Sequence, residues 1–430
     1  MPSGLAELAL PALTVVSGLQ LLRLMVSTVV SVYRDRLGAP LAGLALFALV
    51  VVGLGFLAPP AARLLGRRGL LVGSAAGVAG VRLVLQLVPD AVARWLLAAV
   101  GVVLFLWFVP AWLARDGRGF GLALLLGLAL DTALAGLGGS WDYAWSIGGP
   151  TVALAALLAG AALWALAALP DRPGRRLWAV LPLAGIGPAL FLHALVWQNL
   201  GWQAVLGGRS QEAAFLLVMV GNLGALAAGT AAALAREARW PLVVTAIGGL
   251  AVAVVLGERA TLAAGVLGQA ATAVLLVVVV RRSGGAAGLG PTVAVWTAGM
   301  GLFVLLVFAY YAAYDMVLPA GNGLLLVLAA VLVGLAAAGA MRSGRDQGRQ
   351  GRDLVPLWAG VALLAVPLLL WATAPGAVEA APGPARPVRV MSYNLHFGFD
   401  VRGWSDLEGV ARAIEASGAE VVALQEVSRG

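Results

Sequence analysis

The feature that most constrains this chain is a succession of apolar runs separated by short polar segments. A helix needs about 20 mainly apolar residues to cross the hydrocarbon core of a bilayer. Thirteen runs reach roughly this length, numbered 1 to 13 in order: residues 8–32, 39–58, 70–89, 92–114, 119–138, 148–169, 177–197, 213–235, 241–257, 260–280, 291–313, 321–341 and 355–374. They predict an all-α polytopic membrane domain over residues 1–374, with about thirteen transmembrane helices in the lipid bilayer.

Composition agrees with a membrane protein, since 61% of the residues are hydrophobic and 11% are charged, whereas soluble domains contain about 25% charged residues. The chain has no cysteine, which excludes disulfides and thiolate metal sites. All 28 basic residues are arginine, and with the excess of Ala, Gly, Leu and Val this indicates a GC-rich bacterial genome. The net charge of +8 comes from short arginine clusters between apolar runs, so it argues against nucleic acid as a partner.

The arginines are distributed unequally between the loops, and this predicts the orientation of the chain. Loops after odd-numbered runs contain five of them: Arg34, Arg36, Arg94, Arg209 and Arg259. Loops after even-numbered runs contain sixteen: Arg63, Arg67, Arg68, Arg115, Arg118, Arg172, Arg175, Arg176, Arg236, Arg239, Arg281, Arg282, Arg342, Arg345, Arg349 and Arg352. Because arginine-rich short loops stay in the cytoplasm, we predict a multi-pass protein of the cell membrane with a cytoplasmic N-terminus and an extracytoplasmic C-terminal tail.

Four ionisable residues lie inside apolar runs: Arg23, Arg82, Asp131 and His193. A charge in the hydrocarbon core is costly and is usually paired, so we expect Asp131 to pair with Arg82 or Arg23. This intramembrane polar cluster of Arg23, Arg82 and Asp131 is either a structural ion pair that fixes helix packing or a polar cavity open to the outer leaflet. His193 lies near an outer helix end, where an interfacial position is expected rather than a catalytic role.

The loops predicted to lie outside are rich in aromatic side chains. With the polar residues among them, these side chains are Trp141, Asp142, Tyr143, Trp145, Trp197, Gln198, Asn199, Trp202, Gln203, Tyr310, Tyr311, Tyr314 and Asp315. One interpretation is an aromatic belt at the level of the lipid headgroups. The other is a surface that holds a lipid headgroup or a glycan beside the tail, and the sequence leaves both open.

A linker rich in Pro and Ala, residues 375–387, connects the membrane domain to the tail, residues 388–430. Linkers of this composition are extended, at about 3.1 Å per residue, so the linker spans about 40 Å at most. We therefore expect the tail to work close to the membrane surface.

The tail has the pattern of a βαβ unit. Val388–Leu395 alternates strong β formers and predicts a strand. Ser405 and Glu408 fit a capping box at the start of a helix, and Gly418 is a typical helix stop. Glu420–Val427 then predicts a second, buried strand. Parallel strands joined by such a crossover need helices on the faces of the sheet.

Two polar residues, Asn394 and Glu426, fall at the carboxyl ends of the predicted strands. In sheets of this kind ligands bind outside the carboxyl ends of the strands. An amide oxygen and a carboxylate suit a hard divalent cation such as Mg²⁺, which takes few protein ligands and leaves room for phosphate oxygens.

The segments SYNLH at 392–396 and LQEV at 424–427, with FGFDVRGWSDLEGVARAI between them, resemble the opening of the endonuclease/exonuclease/phosphatase family. The arrangement is similar to that of membrane-tethered bacterial members and of eukaryotic proteins that remodel the lipid of GPI anchors. The resemblance implies a four-layer α/β sandwich and hydrolysis of phosphodiesters or phosphomonoesters with Mg²⁺ or Mn²⁺. It assigns the metal and phosphate site to Asn394 and Glu426.

The resemblance covers only the first βαβ unit of that fold. The family's later motifs, an Asp/Asn pair that orients phosphate and an Asp–His pair that activates water, have no counterpart before Gly430. We therefore expect no catalytic residue within this chain, a fragment that is inactive by itself, and a truncated sheet with an exposed edge. His396 does not match the family's catalytic histidine and has no assigned role.

The sequence thus favours a membrane-tethered, metal-dependent hydrolase, a phosphodiesterase or phosphatase, whose catalytic domain is extracytoplasmic. Its expected substrate is a lipid-linked, glycolipid or extracellular phosphoester. The alternatives are a twelve-span transporter that carries an accessory domain, or a membrane scaffold that positions the enzyme domain.

Overall fold

A computed structural model of the chain describes the following residues: 3–29, 38, 41–137, 142–146, 148–170, 180–208, 210–257, 261–283, 288–312, 321–343, 346, 354–373, 388–395, 398, 400, 404 and 406–425. The predicted linker at 375–387 lies outside these residues. So do Trp141, Tyr314, His396, Ser405 and Glu426.

Helices dominate the described part of the chain before the linker. Their bounds are α1 Ser3–Val29, α2 Leu41–Gly53, α3 Ala58–Val84, α4 Ala91–Asp116, α5 Phe120–Leu137, α6 Gly149–Ala167, α7 Ile186–Leu192, α8 Leu200–Gly207, α9 Gln211–Leu234, α10 Trp240–Leu256, α11 Thr261–Arg282, α12 Leu289–Ala312, α13 Gly323–Ser343, α14 Val355–Leu363 and α15 Ala365–Thr373. Short 3₁₀ segments connect several of them, including Leu54–Leu57 and Tyr143–Trp145.

Ten helical stretches of the described chain are long and apolar enough to cross a membrane: Gly4–Val26, Gly43–Val84, Ala91–Arg115, Phe120–Leu137, Gly149–Ala167, Gln211–Leu234, Leu262–Arg282, Leu289–Tyr311, Gly323–Ser343 and Val355–Thr373. Two more apolar helices, Leu181–Trp197 and Trp240–Leu256, are shorter. The chain therefore has the helices of a multi-span membrane protein, although these ten stretches are fewer than the thirteen runs of the sequence.

The second and third predicted spans account for part of this difference. No loop separates them, because helix continues through the 3₁₀ segment Leu54–Leu57 into α3. The break lies inside α3 at Gly66, which has φ 74° and ψ 160°. A positive φ of this kind strains any residue with a Cβ atom, so glycine is the residue that can end one helix and start the next here. The result is one stretch of 42 residues, Gly43–Val84, with a break at Gly66.

Two other regions are more irregular than the sequence predicts. The seventh span consists of a 3₁₀ segment, the short helix α7 and a π-helical turn at His193–Trp197. The thirteenth is divided at Leu364 into α14 and α15, because Pro367 has no amide to donate to the preceding turn.

The core of the bundle lies around α11. Residues 273–280 of this helix are all at most 7% exposed, and α11 packs against α5, α9, α10 and α13. Helices α1, α3, α4 and α5 form a second packed group. Large apolar side chains instead cover the outer surface, including Leu46, Leu157, Val255, Leu335 and Trp358. An apolar exterior of this extent is suited to lipid rather than to water.

Small residues allow the closest helix contacts. At Gly187 on α7, a Cβ atom would collide with the backbone carbonyl of Gly299 on α12. At Gly299, a Cβ atom would come within 2.9 Å of the carbonyl oxygen of Ala184. The two backbones approach so closely that neither position has room for a side chain, as is common in helix packing within membranes.

The C-terminal unit is the predicted βαβ arrangement. β1 (Val390–Asn394) and β2 (Val421–Gln425) pair in parallel, and α16 (Leu407–Ser417) lies between them in sequence. The predicted cap at Ser405 lies outside the described residues, and the observed N-cap is Asp406, whose carboxylate accepts from the amide of Gly409 at 2.9 Å. Gly418 ends the helix with φ 60°, as expected.

The expectation that the second strand is buried is wrong for the described residues. Val421 is 52% exposed and Leu424 is 43% exposed. In the described unit a single helix, α16, accompanies two strands. A parallel sheet is buried only where helices cover both of its faces.

Candidate functional site

An ion cluster inside the bundle is centred on Arg23 of α1. Its guanidinium donates to Asp131 of α5 through Nη1 and Nη2, at 2.6 and 2.7 Å. It also donates to Asp142 through Nε and Nη2, at 2.9 and 2.6 Å. Gln198 adds a hydrogen bond to Asp131 at 3.2 Å. The side chain of Asp131 is fully buried, and a buried carboxylate without partners is costly. Arg23 and Gln198 supply the hydrogen bonds that stabilise its charge.

Asp142 reaches Arg23 because the 143–145 turn folds back onto the bundle. The second carboxylate oxygen of Asp142 accepts from the amide of Ala144 at 2.9 Å, which caps this turn. Tyr143 and Trp145 are consequently buried, at 8% and 9% exposure. Trp197 is also buried. For these three residues, therefore, the interpretation as an aromatic belt is wrong, because their rings pack inside the bundle rather than at its surface.

Arg82 of α3 forms a second polar group beside the ion cluster. It is 1% exposed and donates to Gln20 at 2.8 Å and to Gln86 at 2.7 Å. Its guanidinium also stacks over the ring of Tyr143, 4.7 Å from the centroid. Among the described residues, no carboxylate lies within 4 Å of Arg82. Neutral amides and an aromatic face therefore solvate this cation.

Tyr143 links the two groups. Its hydroxyl donates to Gln20 at 2.9 Å, and its carbonyl and that of Ser146 accept from Gln86. Burial raises the pKa of the Tyr143 phenol, which therefore stays protonated and can donate. Arg82 and Gln20 retain one donor nitrogen each, Nη2 and Nε2, with no acceptor among the described residues.

The structure places Arg23, Arg82 and Asp131 in one region. Arg23 and Asp131 contact each other, whereas Arg82 bonds to other residues. Of the two partners left open for Asp131, the structure pairs it with Arg23 and not with Arg82. Sequence reasoning missed Gln20 and Gln86, and it placed Asp142 and Gln198 in outer loops without predicting their contacts with Arg23 and Asp131. Gln20 and Gln86 are polar residues inside apolar runs, which is a usable signal; Asp142 lies in a loop and has none. The side chain of His193 is 8% exposed and packs within the bundle, and its expected interfacial position stays a prediction.

Trp404 of the tail contacts the bundle. Trp404 is 3% exposed, and its indole nitrogen donates to the carbonyl of Pro89 at 3.2 Å. The guanidinium of Arg94 lies 3.3 Å from the centroid of the indole ring. Arg94 in turn donates to the carbonyl of Ala144 at 3.2 Å. A continuous set of contacts therefore leads from the tail, through the start of α4 and the 143–145 turn, to the Arg23 cluster.

Of the two predicted metal residues, Asn394 lies at the carboxyl edge of the two-stranded sheet. Asn394 is the last residue of β1, is exposed, and stands opposite Gln425 of β2. Glu426 follows Gln425 in the sequence and lies outside the described residues. Gln425 donates to Ser392 at 3.1 Å across the two strands. No group of three or more His, Asp or Glu residues with metal-site geometry occurs within the described part of the chain.

No protein-family model matches this chain, and no curated protein matches it. The resemblance to the endonuclease/exonuclease/phosphatase family stays a prediction that rests on the two tail motifs. The assignment of Asn394 and Glu426 to a metal site stays a prediction as well.

Proposed function

We propose that this chain is the membrane part and the first βαβ unit of a phosphoesterase that depends on Mg²⁺ or Mn²⁺. One observation carries the proposal: β1 and β2 pair in parallel, with Asn394 opposite Gln425. Glu426 is the next residue after Gln425 in the sequence, and the proposal is that its carboxylate acts together with Asn394. Ligands of parallel α/β sheets bind at the carboxyl edge of the strands.

The residues at this edge fit a magnesium-type ion. Mg²⁺ in phosphate-handling sites takes one or two carboxylates and completes its coordination with water and substrate phosphate. Asn394 is exposed and so accessible to such an ion, and Glu426 would supply the carboxylate. When bound, the metal would polarise a phosphoryl oxygen. Asn394 and Glu426 would hold it beside the substrate phosphate.

We also propose thirteen crossings of the membrane. The stretch Gly43–Val84 has 42 residues, which at 1.5 Å per residue makes about 63 Å of helix. The hydrocarbon core is about 30 Å thick, so this length suits two crossings with a turn at Gly66. The two shorter apolar helices, Leu181–Trp197 and Trp240–Leu256, would supply the remaining crossings.

The distribution of arginine supports a cytoplasmic N-terminus and an extracytoplasmic tail. In this orientation cytosolic nucleic acid is out of reach of the tail. The proposed substrates are lipid-linked, glycolipid or extracellular phosphoesters.

The test uses the intact protein in membranes and a panel of lipid and soluble phosphoesters, with Mg²⁺, Mn²⁺ or EDTA. We expect metal-dependent release of phosphate or headgroup, and a loss of about 100-fold or more in Glu426→Gln and Asn394→Ala, because each removes a metal ligand. Glu415→Gln is the matched control, since it makes the same change on the exposed α16. Equal activity of Glu426→Gln and Glu415→Gln would contradict the proposed site.

A transporter is the second candidate, and the buried Arg23–Asp131–Asp142 cluster favours it. Buried charges within a helical bundle frequently mark a substrate or ion path. Uptake of a solute by a chain that ends near Arg352, without hydrolysis of any phosphoester by the intact protein, would support transport over the phosphoesterase.

A further inference from the structure

Trp404 is anchored in the bundle rather than in its own domain. Among the described residues from 388 to 425 it is the one buried side chain, at 3% exposure, while both strands and α16 are largely exposed. It contacts Pro89, in the turn between α3 and α4, and Arg94 on α4. Tryptophan side chains that are buried against another surface commonly dominate the energy of that contact.

The loop that carries Trp404 is closed by its own hydrogen bonds. The amide of Asp400 donates to the carbonyl of Trp404 at 2.8 Å, and the amide of Trp404 donates to the Asp400 carboxylate at 2.9 Å. The amide of Asp406 donates to the carbonyl of Gly398 at 2.9 Å. These bonds connect the described residues of the loop to one another, two of them directly at Trp404.

Charge complements the ring contact. Asp400 interacts electrostatically with Arg94, the same residue that lies against the indole ring. Arg94 is itself fixed to the 143–145 turn through the carbonyl of Ala144. One arginine of the bundle therefore lies against the indole ring of the tail loop and is also attracted by the Asp400 carboxylate. A cation–π contact that is shielded from water is stronger than an exposed one.

The segment between β1 and α16, which carries Trp404, begins at the edge of the sheet where the candidate metal site is. It starts after β1, so it continues from the carboxyl end of the strand that ends with Asn394. Since Trp404 fixes this loop on the bundle, the carboxyl edge of β1 lies beside the end of the bundle that contains the α3–α4 turn. The linker alone would not impose this placement, because an extended chain of about 40 Å allows many orientations.

We propose that Pro89 and Arg94 form a docking surface for Trp404, and that this contact holds the catalytic edge of the tail domain against the membrane surface. This inference rests on the proposed function for the position of the catalytic edge. Its consequence is selectivity: the docked domain acts on phosphoesters carried by membrane lipids in preference to phosphoesters in solution. Trp404 and Arg94 are positioning residues in this scheme, since neither touches the reacting atoms.

The first test measures docking without using activity. Hydrogen exchange of the intact protein in lipid nanodiscs should show protection of residues 398–409, and Trp404→Ala should increase their exchange rate by about 10-fold or more. Trp404→Phe, which keeps an aromatic face for Arg94, should restore part of the protection. Trp358→Ala is the control, because Trp358 is 65% exposed on α14. Unchanged exchange in Trp404→Ala would overturn the docking surface.

The second test compares two substrates in the same variants. One is phosphatidylglycerol in the nanodisc, and the other is soluble bis(4-nitrophenyl) phosphate. We expect Trp404→Ala and Arg94→Gln to lower turnover of the lipid by about 10-fold while turnover of the soluble ester changes less than about 2-fold. An equal loss on both substrates would overturn the positioning role. If the wild type hydrolyses neither, the proposed function fails, and the exchange experiment still decides whether Trp404 docks.

Discussion

At the scale of single residues, the bundle depends on how Arg23, Asp131 and Asp142 compensate one another. A lone charge at the centre of a transmembrane helix costs about 2.5–3.5 kcal/mol. The guanidinium of Arg23 bonds to both carboxylate oxygens of Asp131 and, through Nε and Nη2, to one oxygen of Asp142. The nitrogen–oxygen distances are 2.6–2.9 Å. The remaining acceptor capacity of Asp131 is used by Gln198. Such a cluster is stable only when it is complete.

We therefore expect Asp131→Asn to lower the free energy of unfolding by about 3 kcal/mol, because it leaves the Arg23 guanidinium with one carboxylate. Denaturation of the purified protein in detergent micelles measures this change. Glu408→Gln, at a side chain that is 93% exposed, is the control and should be neutral. The double variant Arg23→Gln/Asp131→Asn should lose less stability than the sum of the two single variants, and additivity of the two single changes would contradict a direct ion pair.

The sequence predicted part of this cluster. A carboxylate in an apolar run must find a cation, so the pairing of Asp131 followed from physical cost alone. It could not distinguish Arg23 from Arg82, because both lie at similar depth in their runs. Asp142 was not predictable, since a loop residue carries no sign that its segment folds back. The solvation of Arg82 by two glutamines and Tyr143 was not predictable either. For Asn394 and Glu426, the strand pattern predicted the edge of the sheet but not whether a metal binds there.

At the scale of helices, the close contact between α7 and α12 leaves no room for a side chain at Gly187. Gly187→Ala should destabilise the protein by about 1–3 kcal/mol, because the added methyl group meets the backbone carbonyl of Gly299 and cannot displace it cheaply. Thermal unfolding in detergent measures the change.

Gly160→Ala on α6 provides the matched comparison. No atom lies within 4 Å of a Cβ atom built at Gly160, and alanine favours helix over glycine by about 1 kcal/mol. This variant should be neutral or stabilised. Equal unfolding temperatures of Gly187→Ala and Gly160→Ala would contradict the close approach of the α7 and α12 backbones.

The helices themselves were largely predictable, because long apolar runs have few alternatives in a bilayer. Their interruptions were not. Helix continues from Leu54 to Leu65 through segments that contain Pro59 and Pro60, since proline is tolerated in the first turn of a helix. The break falls instead at Gly66, whose backbone conformation gives no signal in a sequence that contains 57 glycines.

At the scale of the whole molecule, the contact of Trp404 with Pro89 places the tail at the end of the bundle that contains the α3–α4 turn. The orientation proposed for this end can be measured directly because the chain has no cysteine. Leu87, Arg68 and Ser343 are exposed positions for single cysteines. Leu87→Cys should react with a membrane-impermeant maleimide in intact cells.

Arg68→Cys and Ser343→Cys should react only after the membrane is made permeable, because both lie in or beside arginine-rich segments that the proposed topology places in the cytoplasm. The opposite pattern would reverse the orientation. Equal labelling of Leu87→Cys and Arg68→Cys would show that the stretch Gly43–Val84 does not cross the membrane as proposed.

The Arg23 cluster also has a consequence for how the chain is made. The partners of Arg23 lie 108 and 119 residues later in the sequence. At a synthesis rate of about 5–20 residues per second, Asp131 emerges about 5–20 s after Arg23. During this interval α1 carries an uncompensated guanidinium. We therefore expect α1 to stay at the insertion machinery or the lipid headgroups until α5 arrives, so that the N-terminal third of the protein assembles as one unit rather than helix by helix.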